Sequence, residues 1–333
     1  MKVCFFGASV SEQNRHHTTK EITGYVTYLS EVLASQYNWD ISKVTSGSNT
    51  IDDAGVVYVH RVIELKPDVC VLDWATPAGD SCDLKSIEFI YSELLSNKII
   101  PLTVIFPRTD RDQSLTPMSL MLQNFCNIYS LPFVDLSKLI DKSELNSILR
   151  DTVHTNIEGA KKYADILMKE IEICKVSTNI FAEFTSKPKY FIVKKVKPNG
   201  KVKNKTEEVN INISTSFESK GKVKFFLEQR VGPWSTFIDV YAVEPDKDDK
   251  YLQTIPIYDA WCWRERQCLK EITDWIDLPI KTIKLCQSDK LPNYGQNVEK
   301  CDFENQHKHI RPKGDLFMLS TNEQIESNIV YHT

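Results

Sequence analysis

Near its N-terminus the chain reads Phe6-Gly7-Ala8-Ser9-Val10-Ser11. This stretch follows a short apolar run at residues 2–6 that has the length and composition of a buried β-strand. Ser9 therefore stands in a Gly-containing turn at the carboxyl end of a strand, which is the edge of an open α/β sheet where ligands bind. The motif alone is weak evidence for function, because such serines more often serve simple turns or helix N-caps.

Around this turn, short apolar runs alternate with helix-period segments over residues 1–176. This pattern indicates repeated βα units around a parallel sheet. The predicted strands are residues 2–6, 41–45, 69–73, 102–106 and 133–135. The predicted helices cover residues 22–33, 84–94, 116–128, where Thr116-Pro117 supplies the start, and about 156–174.

The pattern changes after Cys174. Residues 190–196, 209–213, 223–227 and 237–243 alternate apolar and polar side chains, and only residues 269–276 show helical spacing. Alternation with period two is typical of half-buried strands, so we expect a second, mainly antiparallel β domain. The predicted domains are residues 1–178 and 185–333, with the boundary between residues 176 and 188.

Aromatic residues are frequent in this second domain, and they leave two interpretations open. Aromatic rings stack on sugar rings, which would suit a carbohydrate-binding module. Most aromatic residues of a β domain pack in its core instead, and we favour that interpretation. The residues concerned are Trp234, Tyr241, Tyr251, Tyr258, Trp261, Trp263 and Trp275.

Ahead of the last predicted helix of the first domain the chain reads Asp151-Thr152-Val153-His154-Thr155-Asn156-Ile157-Glu158-Gly159-Ala160. A serine nucleophile needs a base that takes its proton and a carboxylate that holds this base in the right tautomer. An aspartate three residues before a histidine on one short loop supplies both groups. A lone Asp-x-x-His would be interpreted as a helix start capped by the aspartate.

The Ser9 turn and the 151–154 block together resemble the SGNH/GDSL hydrolase family, over about residues 1–175. The resemblance implies an α/β fold with a flavodoxin-like, three-layer parallel sheet. It also implies that Ser9 is the nucleophile, His154 the general base and Asp151 its orienting partner. The family's second block matches residues 45–50, so the backbone N–H groups of Ser9 and Gly47 are implied to form the oxyanion hole.

Two positions depart from the family's pattern. Ala8 stands where the family has an aspartate that is not a member of the triad. In the third block the family has an asparagine that donates to the oxyanion, whereas this chain has none, and the Thr76 hydroxyl is the candidate donor in its place. Asn49 and Arg108 are candidate substrate-binding residues, although Arg108 also fits a surface ion-pair cluster.

Composition and charge exclude several classes of function. The 333 residues carry 41 Lys plus Arg against 45 Asp plus Glu, a net charge of -4, which argues against nucleic acid as a partner. Membrane insertion is not expected, because no run approaches roughly 18 apolar residues. We find no signal peptide, and the nine cysteines are scattered, so a cytoplasmic location with reduced thiols is expected. No metal and no cofactor is predicted.

The predicted function is that of a serine esterase that removes O-acyl groups, with O-acetyl expected, from a carbohydrate through an acyl-enzyme. The partner would be a small-molecule or glycan ester, and the oligomeric state is left open. An O-acyltransferase that passes the acyl group to a sugar hydroxyl would use the same triad. A catalytically weak glycan-binding protein on a hydrolase fold is a third interpretation, favoured by the missing asparagine of the third block.

Overall fold

The computed structural model describes residues 1–16, 18–76, 82–185, 190–198, 208–215, 221–232, 237–244, 248–257, 266–277, 280, 282–288, 315–321 and 325–332. The chain divides into two compact units, Met1–Lys189 and Tyr190–Thr333. No helix in the described ranges is long and apolar enough to cross a membrane.

A parallel five-stranded sheet forms the centre of the first unit, with the order β2-β1-β3-β4-β5. The strands are β1 (Lys2–Gly7), β2 (Asp40–Thr45), β3 (Val69–Asp73), β4 (Ile100–Ile105) and β5 (Phe133–Asp135). The predicted α/β class with a flavodoxin-like parallel sheet is confirmed. After β2 the chain returns to the other side of β1, so the carboxyl ends of β1 and β3 form the switch point at which such sheets bind ligands.

Helices cover both faces of this sheet. They are α1 (Ser9–Glu12), α2 (Tyr25–Tyr28), α3 (Ala34–Tyr37), α4 (Val56–Leu65), α5 (Leu84–Ser96), α6 (Pro117–Ile128), α7 (Leu136–Leu139), α8 (Leu145–Ile148), α9 (Ile157–Ile173) and α10 (Thr178–Thr185). On one face Val3 and Phe5 pack with apolar residues of α2 and α9. On the other face Tyr91 of α5 hydrogen bonds to Thr103 of β4.

Side-chain caps start several of these helices where the sequence supplies them. Thr116 accepts the Ser119 N–H at 3.3 Å, and Pro117 occupies the first turn, as the Thr-Pro pair predicts. Asp83 accepts the Lys85 N–H at 2.9 Å at the start of α5. The predicted helix at 22–33 begins only at Tyr25 and includes a π-helical turn, Leu29–Leu33.

The segment that the sequence assigns to the linker contains helix α10. This helix packs against α5 of the first unit, and the Ser92 hydroxyl donates to the Phe184 carbonyl at 3.3 Å. The Phe184 ring is fully buried. Buried apolar area of this kind stabilises a helix that is too short to form alone, so these residues belong to the first unit.

The second unit is built from β-strands, in the order β10-β9-β13-β7-β15-β6-β14-β8-β11, with β12 paired to β8. Neighbours are antiparallel except β15 and β6. The predicted mainly antiparallel β domain is confirmed. The strands are β6 (Ile192–Pro198), β7 (Glu208–Thr215), β8 (Lys222–Val231), β9 (Phe237–Val243), β10 (Lys250–Pro256), β11 (Arg266–Glu271), β12 (Ile276–Asp277), β13 (Thr282–Gln287), β14 (Leu316–Ser320) and β15 (Ile325–His332).

The structure departs from the local sequence pattern at two places in this unit. Residues 269–276 do not form a helix, because Arg266–Glu271 pairs antiparallel with β8 and this pairing overrides the local spacing. The prediction of core packing is wrong for Tyr251, because this residue is 49% exposed. Its ring packs edge-on against Tyr241. Trp275 stacks on Phe191. The other aromatic residues of the prediction, Trp234, Tyr258, Trp261 and Trp263, lie outside the described residues.

Candidate active site

Ser9 is positioned by the end of β1 at the switch point of the sheet. Gly7 ends the strand against β3, and a Cβ there would lie 2.6 Å from the Asp73 carbonyl oxygen, so only glycine fits. Ala8 then donates its N–H to this same oxygen at 3.1 Å. These contacts turn the chain sharply into α1, and Ser9 is the first residue of that helix.

The Ser9, His154 and Asp151 side chains form one hydrogen-bonded chain. His154 Nε2 lies 3.0 Å from Ser9 Oγ. On the other side of the ring, Nδ1 lies 3.0 and 3.1 Å from the two carboxylate oxygens of Asp151. A ring that carries its proton on Nδ1 leaves Nε2 free to accept the serine proton, which is the geometry a general base requires.

The Asp151 carboxylate is fixed by its own loop. Its Oδ1 atom accepts the N–H groups of Val153 at 2.9 Å and of His154 at 2.8 Å. Partial burial alone would raise the pKa of Asp151, but the hydrogen bonds from the His154 ring and from these two N–H groups hold the pKa well below its usual range. The carboxylate is therefore charged over the whole neutral range.

Gln13 links the serine turn to the histidine loop. Its Nε2 atom donates to the Thr23 carbonyl at 2.6 Å and to the Thr155 carbonyl at 2.8 Å. The hydroxyl of Thr155, which is fully buried, donates to the same Thr23 carbonyl at 2.6 Å. These bonds fix the residue next to His154 relative to the end of α1. Sequence reasoning missed Gln13, because no local pattern marks a residue whose partners are so distant in sequence.

Gly47 lies beside the serine, as the implied oxyanion hole requires. The Ser9 Cβ is 3.6 Å from the point that a Gly47 Cβ would occupy. Glu12 Oε2 lies only 2.2 Å from that same point, so a side chain at position 47 would displace the Glu12 carboxylate. The presence of an acidic group here is a second feature that sequence reasoning missed.

Thr76 is near the site, but its hydroxyl is directed away from the expected role. The hydroxyl donates to the buried carboxyl group of Asp73, which Ser11 Oγ also contacts at 2.9 Å. Full burial raises the pKa of Asp73 to about 7, although the hydrogen bonds from Thr76 and Ser11 oppose this rise. Because the Thr76 hydroxyl already donates its hydrogen bond to Asp73, it does not donate to an oxyanion in this arrangement.

Asp73 makes the stability of the fold depend on pH. As pH rises from about 4 to about 7, the unfolded chain releases the Asp73 proton while the folded chain keeps it, so wild type loses stability across this window. Asp73→Asn is neutral throughout. We expect the free energy of unfolding of wild type to fall by roughly 3 kcal/mol relative to Asp73→Asn over this range.

Urea titrations of both full-length proteins at the two ends of this pH range measure the effect. All other titrating groups are shared by the two proteins and cancel in the difference. A difference that stays the same at low and at neutral pH would contradict the raised pKa.

The two candidate substrate-binding residues are engaged within the protein. Asn49 is buried, accepts from the Ser46 hydroxyl at 2.6 Å, and contacts Asp53 at 3.3 Å. Arg108 forms a two-pronged pair with Asp110 at 2.8 Å and donates to the Thr76 carbonyl at 3.3 Å. Arg108 thus takes the ion-pair role that the sequence left open, and it anchors the loop after β3. Substrate binding by either residue stays a prediction.

Metal-binding clusters and disulfides are not found in the described part of the chain. No group of three or more His, Cys, Asp or Glu is placed to hold a metal there. The described cysteines are free thiols, at positions 4, 70, 82, 126, 174, 268 and 286.

Solved structures with the same architecture are known. One is a two-domain esterase active on acetylated mannans, co-crystallised with mannopentaose, with a TM-score of 0.59 and 11% identity over 100% of this chain and 92% of that chain. The N-terminal unit has the SGNH hydrolase fold. A second structure of a two-domain esterase active on acetylated mannans gives a TM-score of 0.54 with 12% identity, over the same shares of the two chains.

A structure of an acetyl xylan esterase matches only part of the chain, with a TM-score of 0.41 and 21% identity. The match covers 51% of this chain and 100% of that chain. No family model matches the sequence. No curated protein matches it either. At these identities the comparison establishes the SGNH fold and the second β unit, and it confirms the resemblance seen in the sequence at the level of the fold.

Proposed function

We propose that the protein is a serine esterase that removes O-acetyl groups from a carbohydrate. The observation that carries this proposal is the hydrogen-bonded chain from Ser9 Oγ through the His154 ring to the Asp151 carboxylate. The two-domain esterase active on acetylated mannans, which shares the fold over the whole chain, supports the choice of an acetylated glycan as substrate.

In the first half of the reaction, Ser9 Oγ attacks the carbonyl carbon of the ester while His154 Nε2 takes the serine proton. The carbonyl oxygen becomes an oxyanion that the N–H groups of Ser9 and Gly47 stabilise. Asp151 stabilises the protonated His154 ring. His154 then gives its proton to the sugar oxygen, the carbon–oxygen bond of the ester breaks, and an acetyl group remains on Ser9.

In the second half, water attacks the acetyl group while His154 takes a proton from the water. His154 then gives this proton to Ser9 Oγ as the bond to Ser9 breaks and acetate leaves. A sugar hydroxyl that attacks in place of water would give the transferase reaction with the same residues. The identity of this acceptor is set by access to Ser9 and not by the triad.

The proposal is tested with acetylated manno- and xylo-oligosaccharides, incubated with wild type while acetate release is followed. Release of acetate, with deacetylated oligosaccharide as the other product, is the expected result. The same reaction is run with an excess of non-acetylated oligosaccharide. Acetyl transfer to this acceptor at the expense of acetate would identify a transferase. Binding of the oligosaccharide without any turnover would contradict the esterase and favour the glycan-binding interpretation.

A further inference from the structure

Glu12 ends helix α1, and its carboxylate occupies the space that Gly47 leaves open. The oxygen of Glu12 and the Cβ of Ser9 lie 2.2 and 3.6 Å from the point that a Gly47 Cβ would take. The glycine implied to form the oxyanion hole thus also makes room for an acidic group beside the serine. The proposed triad does not use this group.

The charge of Lys43 favours an acid at this position without contacting it. The Glu12 side chain is half-buried, and within the described ranges it makes no hydrogen bond and no ion pair. A half-buried carboxylate that accepts no hydrogen bond from the protein keeps its lone pairs for a donor that comes from outside.

Lys43 attracts Glu12 through space but does not bind it. The Lys43 ammonium donates to three neutral acceptors, which are Asn14 Oδ1 at 2.6 Å, Thr27 Oγ1 at 3.2 Å and the Gln13 carbonyl at 3.3 Å. Burial lowers the pKa of Lys43 to about 8, and the charge of Glu12 opposes this shift. Both carboxylate oxygens of Glu12 therefore stay available.

We propose that Glu12 determines specificity by accepting a hydrogen bond from a sugar hydroxyl next to the scissile ester and by excluding substrates that carry a negative charge there. The inference rests on the proposed esterase function and deepens it, because it assigns the substrate to neutral, hydroxyl-bearing esters. Uronates, phosphorylated sugars and dicarboxylic acyl groups would be poor substrates.

The expected size follows from Coulomb's law. Two like charges about 7 Å apart at an effective dielectric constant of about 20 to 40 repel each other enough to change a rate constant roughly 5- to 50-fold. Added salt screens this repulsion where the groups are accessible to solvent. A steric effect of the same residue would not respond to salt.

The test compares kcat/KM of wild type and Glu12→Gln on three esters. These are 4-nitrophenyl acetate, which is neutral, 4-nitrophenyl hemisuccinate, with an anionic acyl group, and 4-acetoxybenzoate, with an anionic leaving group. The quantity compared is the ratio of kcat/KM on an anionic ester to kcat/KM on the neutral ester. At low salt we expect this ratio to be roughly 5- to 50-fold higher in Glu12→Gln than in wild type for at least one anionic ester. At high salt this increase should be smaller. With acetylated oligosaccharide, kcat/KM should fall relative to 4-nitrophenyl acetate.

Two variants serve as controls. Glu12→Asp keeps the charge and should keep the preference against anionic esters. Glu64→Gln removes one exposed negative charge from α4 and should leave every ratio unchanged. If the ratios of kcat/KM between anionic and neutral esters are the same in Glu12→Gln and wild type, and turnover still depends on Ser9, the role of Glu12 is overturned while the proposed function stands. Turnover that survives Ser9→Ala would instead overturn the proposed function, and the role of Glu12 with it.

Discussion

Ser9→Ala is expected to lower kcat for acetate release by about 10⁴-fold or more, because it removes the only atom that the proposed mechanism acylates. The variant should fold like wild type, since the Ser9 side chain makes its contact with His154 at 3.0 Å and supports no core packing. Hydrolysis of 4-nitrophenyl acetate and reaction with a fluorophosphonate probe measure the loss. Wild type should be labelled at Ser9.

Ser30→Ala provides the matched control for this experiment. Ser30 is an exposed serine on the π-helical turn, and its hydroxyl donates to the Thr27 carbonyl at 3.0 Å. This variant should retain wild-type turnover and labelling. Labelling that persists in Ser9→Ala, or lies on another residue, would reject Ser9 as the nucleophile.

Asp151→Asn is expected to lower kcat by about 10³- to 10⁴-fold at neutral pH, through the tautomer of His154. An amide oxygen can keep the N–H bonds of Val153 and His154, which places the amide nitrogen where Oδ2 now lies, 3.0 Å from Nδ1. An NH₂ group there donates to Nδ1 and forces the ring proton to Nε2. A protonated Nε2 cannot take the proton of Ser9.

Asp141→Asn tests whether a loss of kcat in Asp151→Asn is specific to position 151. Asp141 is an exposed aspartate that caps another turn by accepting the Ser143 N–H at 2.7 Å, so its amide variant should keep full activity. Direct observation of the imidazole nitrogens by NMR in wild type and Asp151→Asn would show which nitrogen carries the proton. An Asp151→Asn variant with wild-type kcat would remove Asp151 from the proposed triad.

The sequence predicts the parallel sheet and the triad candidates for the same physical reason. Strand periodicity is local, and the Ser9 turn and the 151–154 block each lie on one short stretch, so the two can be read together although neither is decisive alone. Strands such as Val69–Asp73 and Phe133–Asp135 have the predicted bounds. Cross-strand pairing is not local, so the helical spacing of residues 269–276 does not reveal that Arg266–Glu271 pairs with β8 as a strand.

Glu12, Gln13 and Asp73 escape sequence analysis because their roles come from distant partners. Gln13 and Thr155 are 142 residues apart in the chain, and the Glu12 carboxylate is noteworthy only once the fold brings Gly47 beside it. The direction of the Thr76 hydroxyl likewise depends on a buried acid on β3. Contacts of this kind are set by tertiary packing, and they leave no periodic pattern in the sequence from which they could be predicted.

The separation of Ser9 from His154 by 145 residues has a consequence for how the protein is made. At ribosomal rates of about 5 to 20 residues per second, Ser9 emerges roughly 7 to 30 s before the residue that would activate it. During that interval the serine is an ordinary alcohol. The proposed activity therefore arises only when both ends of the first unit have met, so a nascent chain that ends before His154 cannot attack esters by this mechanism.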